Sequence, residues 1–153
     1  MTDFSGRILG IDYGSKRTGI AVSDPMGIIA QPLETIQYSA SEELIAKIGT
    51  LVSEKDIHKI VVGIPKTLSN GESEMTKTVS AFVKDLQSHY PDIEIITWDE
   101  RLTSMQADRI LIEAGVRREK RKTRIDSLAA SIMLQSYLDF LQQTKSGKHE
   151  IKE

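Results

Sequence analysis

Three carboxylates stand where chemistry is expected in a chain of alternating strands and helices. Asp12 follows the apolar run 8–11, Glu100 closely follows the run 93–98, and Asp126 lies near the start of the last predicted helix. If the first and fifth strands are neighbours, Asp12 and Glu100 converge at one sheet edge, where sites in α/β proteins gather. Three hard oxygen ligands suit Mg²⁺ or Mn²⁺. A pair of such ions about 4 Å apart can activate water for phosphodiester cleavage.

Each carboxylate also has a purely structural interpretation, and the sequence leaves both open. Asp12 could begin the turn that continues with Gly14, a common use of Asp-x-Gly. Glu100 could pair with Arg101 or Lys120 on the surface, and Asp126 could cap a helix that begins at residue 123. The spacing of the residues does not decide between these interpretations.

Small residues beside Asp126 favour an inward position for its side chain. Ala129 and Ala130 lie three and four residues further along, on the same helical face. An apolar stripe indicates that the helix is docked on the sheet: Ile125, Leu128, Ile132 and Met133. A helix with such small side chains on one face can approach the sheet closely, which favours a functional role for Asp126.

The first hairpin is rich in glycine. Gly10, Gly14 and Gly19 flank Lys16 and Arg17, and this arrangement could cradle a phosphate. An ordinary hairpin turn explains the same pattern, and the Gly-Lys-Ser/Thr of a P-loop is missing. No Ser-His-Asp arrangement or nucleophile elbow is present in the sequence.

Charge is concentrated in one segment. The whole chain has a net charge of −2, yet residues 117–124, RREKRKTR, contain six basic residues and one acid. This basic strip is the electrostatic footprint expected of a phosphate-rich partner. A solvated loop without a partner is the alternative.

Composition bounds the class of protein. The chain has 153 residues, 39% of them hydrophobic, and no cysteine, so disulfides and thiolate metal sites are excluded. We expect one domain over residues 1–143 and a polar tail, 144–153, that frays. No apolar run is long enough to span a membrane, and the amino terminus does not resemble a secretory signal. We therefore expect a cytoplasmic location.

Periodicity predicts the element order β-β-β-α-β-α-β-α-α. The third strand contains Pro32, which indicates an edge or a bulge, and Ser41 is the predicted N-cap of the first helix. The fourth strand is a continuous β-branched run typical of a strand buried on both faces. The last two helices are predicted at 103–115, closed by Gly115, and at about 124–143. This order implies a mixed sheet with helices on its faces.

Four blocks, in order and in register, resemble those of the YqgF (RuvX) family. They are DYGSKRTG at 12–19, VGIP at 62–65, DERLT at 99–103 and DSLAA at 126–130. The resemblance runs from about residue 7 to residue 141. It implies an α/β fold of the ribonuclease H-like type, in which a mixed five-stranded sheet is flanked by helices on both faces. It also implies a metal-dependent nuclease that matures the 5′ end of precursor 16S rRNA.

The resemblance also implies roles for individual residues. Asp12, Glu100 and Asp126 match the family's acidic triad, which is expected to be catalytic and to hold Mg²⁺ or Mn²⁺. Basic residues of the matching blocks and of the basic strip are expected to bind nucleic acid: Lys16, Arg17, Arg101, Arg118, Lys120, Arg121, Lys122 and Arg124.

The expected partner is RNA, either precursor rRNA or a pre-ribosomal particle, and no membrane. The fold and the acids would equally serve a resolvase of four-way DNA junctions, which needs paired cuts and hence usually a dimer. A nucleic-acid-binding factor without catalysis is the alternative from another class. The sequence is compatible with a monomer or a homodimer. An actin-like ATPase is disfavoured because the chain is too short for a second lobe.

Overall fold

The computed structural model describes residues 6–14, 16–64, 74–99, 109–115 and 118–151, with side chains described except at 75, 118–124 and 145–151. The strands are β1 (Arg7–Asp12), β2 (Arg17–Ser23), β3 (Ala30–Gln37), β4 (Ile57–Ile64) and β5 (Glu94–Asp99). The helices are α1 (Ser41–Glu54), α2 (Glu74–His89) and α3 (Arg118–Ile151). A further helical stretch spans 109–113.

The five strands form one mixed sheet in the order β3-β2-β1-β4-β5. Strands β1, β2 and β3 are antiparallel neighbours, whereas β1, β4 and β5 run parallel. The predicted mixed five-stranded sheet is confirmed. Strands β1 and β5 are not direct neighbours, the condition considered for the convergence of Asp12 and Glu100, because β4 lies between them. Their carboxyl ends nevertheless lie at the same edge of the sheet, because all three strands are parallel.

Strand composition explains these positions. Ile60, Val61 and Val62 of β4 have no exposed surface, as predicted for a β-branched strand buried on both faces. Strand β3 is an edge strand, and its pairing with β2 shifts by one residue between the Glu34 and Pro32 pairs. The prediction of an edge or bulge at Pro32 is therefore confirmed.

Helices α1 and α2 cover one face of the sheet. Leu44 and Ile48 of α1 and Val79 and Leu86 of α2 are fully buried in the core on this face. The residue at the N-cap of α1 is Ala40, which makes no side-chain capping bond, so the prediction of Ser41 is wrong by one residue. The Glu43 carboxylate instead accepts the Ser39 amide hydrogen bond at 2.9 Å.

Helix α3 covers the opposite face and crosses it close to the backbone of the strands. Ala129 and Ala130 are fully buried there, which confirms the predicted small surface. A Cβ added at Gly10 would lie 2.9 Å from the Leu134 Cβ, and one added at Gly19 would overlap the Asp126 backbone. Glycines in the strands and alanines in the helix thus permit this close packing.

Helix α3 is longer than predicted. It begins at Arg118 and continues to Ile151, whereas apolar periodicity predicted about 124–143. The first residues are arginine, lysine and glutamate, which are good helix formers but carry no apolar pattern. The polar segment 144–151, which was expected to fray, has helical backbone.

The predicted helix at 103–115 is described only at its end. Residues 109–113 are helical, and Gly115 follows with φ of 78°, which agrees with closure at this glycine. The predicted start of this helix lies outside the described residues. Among the described residues, no helix is both long and apolar enough to span a bilayer.

The packing of α3 on β2 predicts a large effect of Gly19→Ala. The added methyl group would overlap the carbonyl carbon and oxygen of Asp126, and backbone atoms cannot rotate away. We expect a loss of about 2 kcal/mol or more in the free energy of unfolding, measured by urea denaturation.

Gly27→Ala is the control, since a Cβ there meets nothing within 4 Å and only the φ of 70° is strained. It should cost about 1 kcal/mol. Equal stability of Gly19→Ala and the unchanged protein would contradict the described packing.

Candidate active site

Asp12 is the last residue of β1 and lies on the sheet face that α3 covers. Side chains alternate along a strand, and Ile8, two positions before Gly10, packs in the core beneath α3. Asp12 continues that row at the carboxyl edge. In the antiparallel pairing of β1 with β2, its partner is Gly19.

Asp126 reaches the same place from α3. Its backbone lies directly against Gly19, the residue paired with Asp12. Opposed residues of antiparallel strands have Cα atoms about 5 Å apart. Gly19 therefore brings the two carboxylate-bearing residues together, one from the sheet and one from the helix.

The environment of Asp126 is unusual for a carboxylate. Its side chain is 22% exposed, and its Oδ2 atom is buried and accepts no hydrogen bond from the described residues. The Arg17 Nε atom lies 3.0 Å from that oxygen and forms an ion pair with it. Burial raises the pKa of the Asp126 carboxyl above its ordinary value, and Arg17 opposes the rise.

The capping interpretation of Asp126 is wrong. Helix α3 begins at Arg118, so Asp126 lies well beyond the first turn, where a side chain could cap the helix. The phosphate-cradle interpretation of the glycines is also unsupported, because α3 packs directly against Gly10 and Gly19. Helix capping therefore does not explain the carboxylate at position 126.

The turn after Asp12 is fixed by three contacts. The Tyr13 ring stacks on Phe82 of α2, with centroids 4.4 Å apart. The Thr18 hydroxyl lies 3.3 Å from the Gly14 amide, which donates to it. The Tyr38 hydroxyl, from the end of β3, donates to the Gly14 carbonyl. Burial raises the pKa of Tyr38 to about 12, so this donor keeps its proton at neutral pH.

Sequence reasoning missed Tyr13, Thr18 and Tyr38. No local pattern signals the contact of Tyr38, because 24 residues separate it from Gly14. Stacking of Tyr13 on Phe82 likewise depends on how α2 packs on the sheet. The only sequence hint is the position of Tyr13 directly after Asp12.

An open cleft of 1090 Å³ extends from Asp126 along the side of the sheet where β2 begins and β3 ends. It is lined by Gly14, Lys16, Arg17, Gln37, Tyr38, Ser39, Glu43 and Asp126. Lys16 and Arg17 supply cations next to the buried carboxylate, which places two of the predicted nucleic-acid-binding residues at the site.

The remaining predicted site residues are outside what the structure describes. Glu100 and Arg101 lie in an undescribed stretch, and only the backbone is described for Arg118, Lys120, Arg121, Lys122 and Arg124. That backbone is helical and forms the first turns of α3. The basic strip is therefore helical from residue 118, rather than a loop before the helix.

The donor set fits a hard divalent cation. Asp12 and Asp126, whose backbones Gly19 brings together, offer only oxygen ligands, and a cation at the buried Asp126 oxygen would take the place of the Arg17 ion pair. Within the described ranges no group of three metal-binding side chains assembles. Asp12 and Asp126 could thus supply two ligands, and the predicted third, Glu100, lies outside these ranges.

Comparison with known proteins places the chain in a family. Residues 6–140 match the family model described as RuvX, Holliday junction resolvase. Proteins named "Putative pre-16S rRNA nuclease" are similar along most of their length. The one from Agathobacter rectalis is 41% identical over 92% of this chain and 99% of its own. The one from Staphylococcus haemolyticus is 44% identical over 89% and 97%, respectively.

Solved structures of Holliday junction resolvases share the fold. The yeast mitochondrial resolvase Ydc2 superposes with a TM-score of 0.60 at 12% identity, over 97% of this chain and 84% of its own. RuvC of T. thermophilus, in complex with a Holliday junction, gives a TM-score of 0.56 at 14% identity, over 91% and 97%. The expected ribonuclease H-like architecture is confirmed, and the chain belongs to the RuvX family of resolvase-like nucleases.

Proposed function

We propose that the chain hydrolyses phosphodiester bonds in structured RNA with Mg²⁺ or Mn²⁺, and that it matures the 5′ end of precursor 16S rRNA during ribosome biogenesis. The observation that carries the proposal is the convergence of Asp12 and Asp126 across Gly19. The names of the bacterial relatives support the RNA substrate and, with it, a cytoplasmic setting.

In this proposal Asp12, Glu100 and Asp126 hold the cation, and each supplies carboxylate oxygens. A bound divalent cation would lower the pKa of water and stabilise charge on the phosphate oxygens. The protein's own contribution is to hold the acids in place. Gly19 sets the spacing of Asp12 and Asp126, and the Tyr13, Thr18 and Tyr38 contacts fix the turn next to Asp12.

Arg17 has a double role in this proposal. In the free protein its guanidinium partly neutralises the buried Asp126 charge. Its side chain is 44% exposed, so the same group faces the cleft. With a divalent cation bound at Asp126, the Arg17 guanidinium would be available to donate to a substrate phosphate, with which arginine forms paired hydrogen bonds.

The basic strip supports a nucleic-acid substrate on energetic grounds. A helix N-terminus carries a partial positive charge, so cations in the first turns are unfavourable for the helix. Residues 118–124 nevertheless place five basic residues there. Helix stability does not explain this distribution, whereas the binding of phosphates does.

A four-way DNA junction is the second candidate substrate. It is favoured by the description of the family as Holliday junction resolvases. Junction resolution requires two coordinated cuts and therefore a homodimer, whereas RNA processing is open to a monomer. The two candidates share the carboxylates and differ in substrate and assembly.

Cleavage of two end-labelled substrates side by side tests the proposal. Precursor 16S rRNA, free and in pre-ribosomal particles, and a four-way DNA junction are incubated with Mg²⁺ or Mn²⁺. We expect cleavage of the RNA and an intact junction. Cleavage of the junction alone would favour the resolvase, and binding without any product would favour a non-catalytic factor.

The substitutions Asp12→Asn and Asp126→Asn should abolish cleavage, because each removes a carboxylate from the cation site. Asp85→Asn on α2 is the matched control and should retain activity. In metal-free buffer at neutral pH, Asp126→Asn should be at least as stable as the unchanged protein. The raised pKa of Asp126 means that its ionised form, present above that pKa, lowers the stability of the fold. Full cleavage by Asp12→Asn would contradict the proposal.

The basic strip predicts a change in salt dependence. Replacing Lys120 and Lys122 by alanine should weaken RNA binding and lower the steepness of log affinity against log salt by roughly 1.4 to 1.8. The matched control replaces Lys47 and Lys84, which lie on the helices of the opposite face. Equal slopes for the two double variants, measured by fluorescence anisotropy, would exclude phosphate contacts from the basic strip.

A further inference from the structure

A second concave surface lies on the same sheet face as the carboxylates, at the edge strand β5. It has a volume of 580 Å³ and is lined, among the described residues, by Trp98, Ile132, Gln135, Ser136, Asp139, Phe140 and Gln143. We call these residues the aromatic pocket. No lysine or arginine is among them, so the described part of the pocket offers no cation to a phosphate.

The aromatic pocket lies in register with the candidate active site. Ile11 of β1 pairs with Val62 of β4, and Gly63 pairs with Trp98 of β5. Asp12 and Trp98 therefore occupy the same row, two strands apart. Neighbouring strands are about 4.8 Å apart, which puts the two backbones roughly 10 Å from each other. A few nucleotides of one strand cover that distance.

The Trp98 ring is held in place before any ligand binds. Its indole Nε1 donates to the Ser136 hydroxyl at 3.3 Å. The edge of the ring meets Tyr137, with centroids 5.3 Å apart and planes at 77°. The Tyr137 hydroxyl in turn accepts a hydrogen bond from Lys59 at 2.9 Å. A fixed aromatic ring loses little conformational entropy when a ligand stacks on it.

Phe140 adds a second aromatic wall. Its ring centroid lies 5.3 Å from that of Trp98, with planes at 52°, and the side chain is 48% exposed. Phe140 and Trp98 together form a partly exposed aromatic surface. Such surfaces stack unpaired bases in proteins that bind single strands.

The polar groups of the aromatic pocket suit the edge of a base. Gln135 is held by hydrogen bonds within the protein. Its side chain accepts from the Ala30 amide and donates to the Ile28 carbonyl and, at 3.0 Å, to Asp139 Oδ1. The Asp139 carboxylate is thereby oriented, and its exposed oxygens can accept further bonds. Guanine offers a carboxylate two adjacent N–H donors on its Watson–Crick edge.

We propose that the aromatic pocket binds an unpaired base of the RNA substrate, with a preference for guanine, next to the cleaved bond. This inference rests on the proposed function for its substrate class. The binding of a base at this pocket can nevertheless be measured without cleavage.

Trp98 is the only tryptophan of the chain, so its fluorescence reports the aromatic pocket alone. Uridine hexaribonucleotides with and without one central guanosine are titrated in EDTA, which prevents metal-dependent cleavage. We expect saturable quenching of Trp98 and tighter binding of the guanosine oligomer. Phe140→Ala should weaken both complexes roughly tenfold, and Asp139→Asn should remove the preference for guanosine. Asp85→Asn is the matched control and should change neither.

Several outcomes would overturn the subsite. One is binding of the oligomers by anisotropy without any change in Trp98 fluorescence, and another is no binding at all. A third is a Phe140→Ala variant that alters the oligomeric state in sedimentation but not oligomer binding, which would make the surface a protein contact. Cleavage of precursor rRNA without quenching refutes the subsite alone, whereas quenching without cleavage refutes the proposed function alone.

Discussion

The close approach of α3 to β2 at Gly19 is the constraint on which the candidate site depends. A side chain at this position would push the helix away, because it would overlap the backbone of Asp126. The same glycine is paired with Asp12 across the hairpin. One missing side chain thus sets the backbone separation of two acidic residues that come from distant parts of the chain, and Ala129 and Ala130 extend the close packing along α3.

This packing makes the ionised form of Asp126 less favourable. Burying a carboxylate is unfavourable, and the contact with Arg17 offsets only part of that cost, since the pKa of Asp126 stays raised. The first turns of α3 add a second cost, because their sequence places five basic residues at the positive end of the helix dipole. In the proposed function, ligands of opposite charge would relieve both costs: a divalent cation at the acids and phosphates at the basic strip.

Much of the fold could be predicted from the sequence, because its signals are local. The β1–β2 hairpin and the buried strand β4 follow from apolar runs, and the small surface of α3 follows from Ala129 and Ala130. The order of β1, β4 and β5 could not be predicted, since helices separate these strands in the chain and local patterns do not indicate which of them pair. The start of α3 was missed because charged helix formers lack periodicity, and Tyr38 was missed because its contact with Gly14 is not local.

The cation site can be tested by measuring the binding of Mn²⁺ with electron paramagnetic resonance in the unchanged protein, Asp12→Asn, Asp126→Asn and the double variant. If Gly19 unites the two carboxylates in one cation site, either single substitution should weaken binding about as much as both together. Additive losses would indicate two independent sites. Unchanged Mn²⁺ affinity in both single variants would show that neither Asp12 nor Asp126 is a ligand of the cation, which contradicts the proposed site.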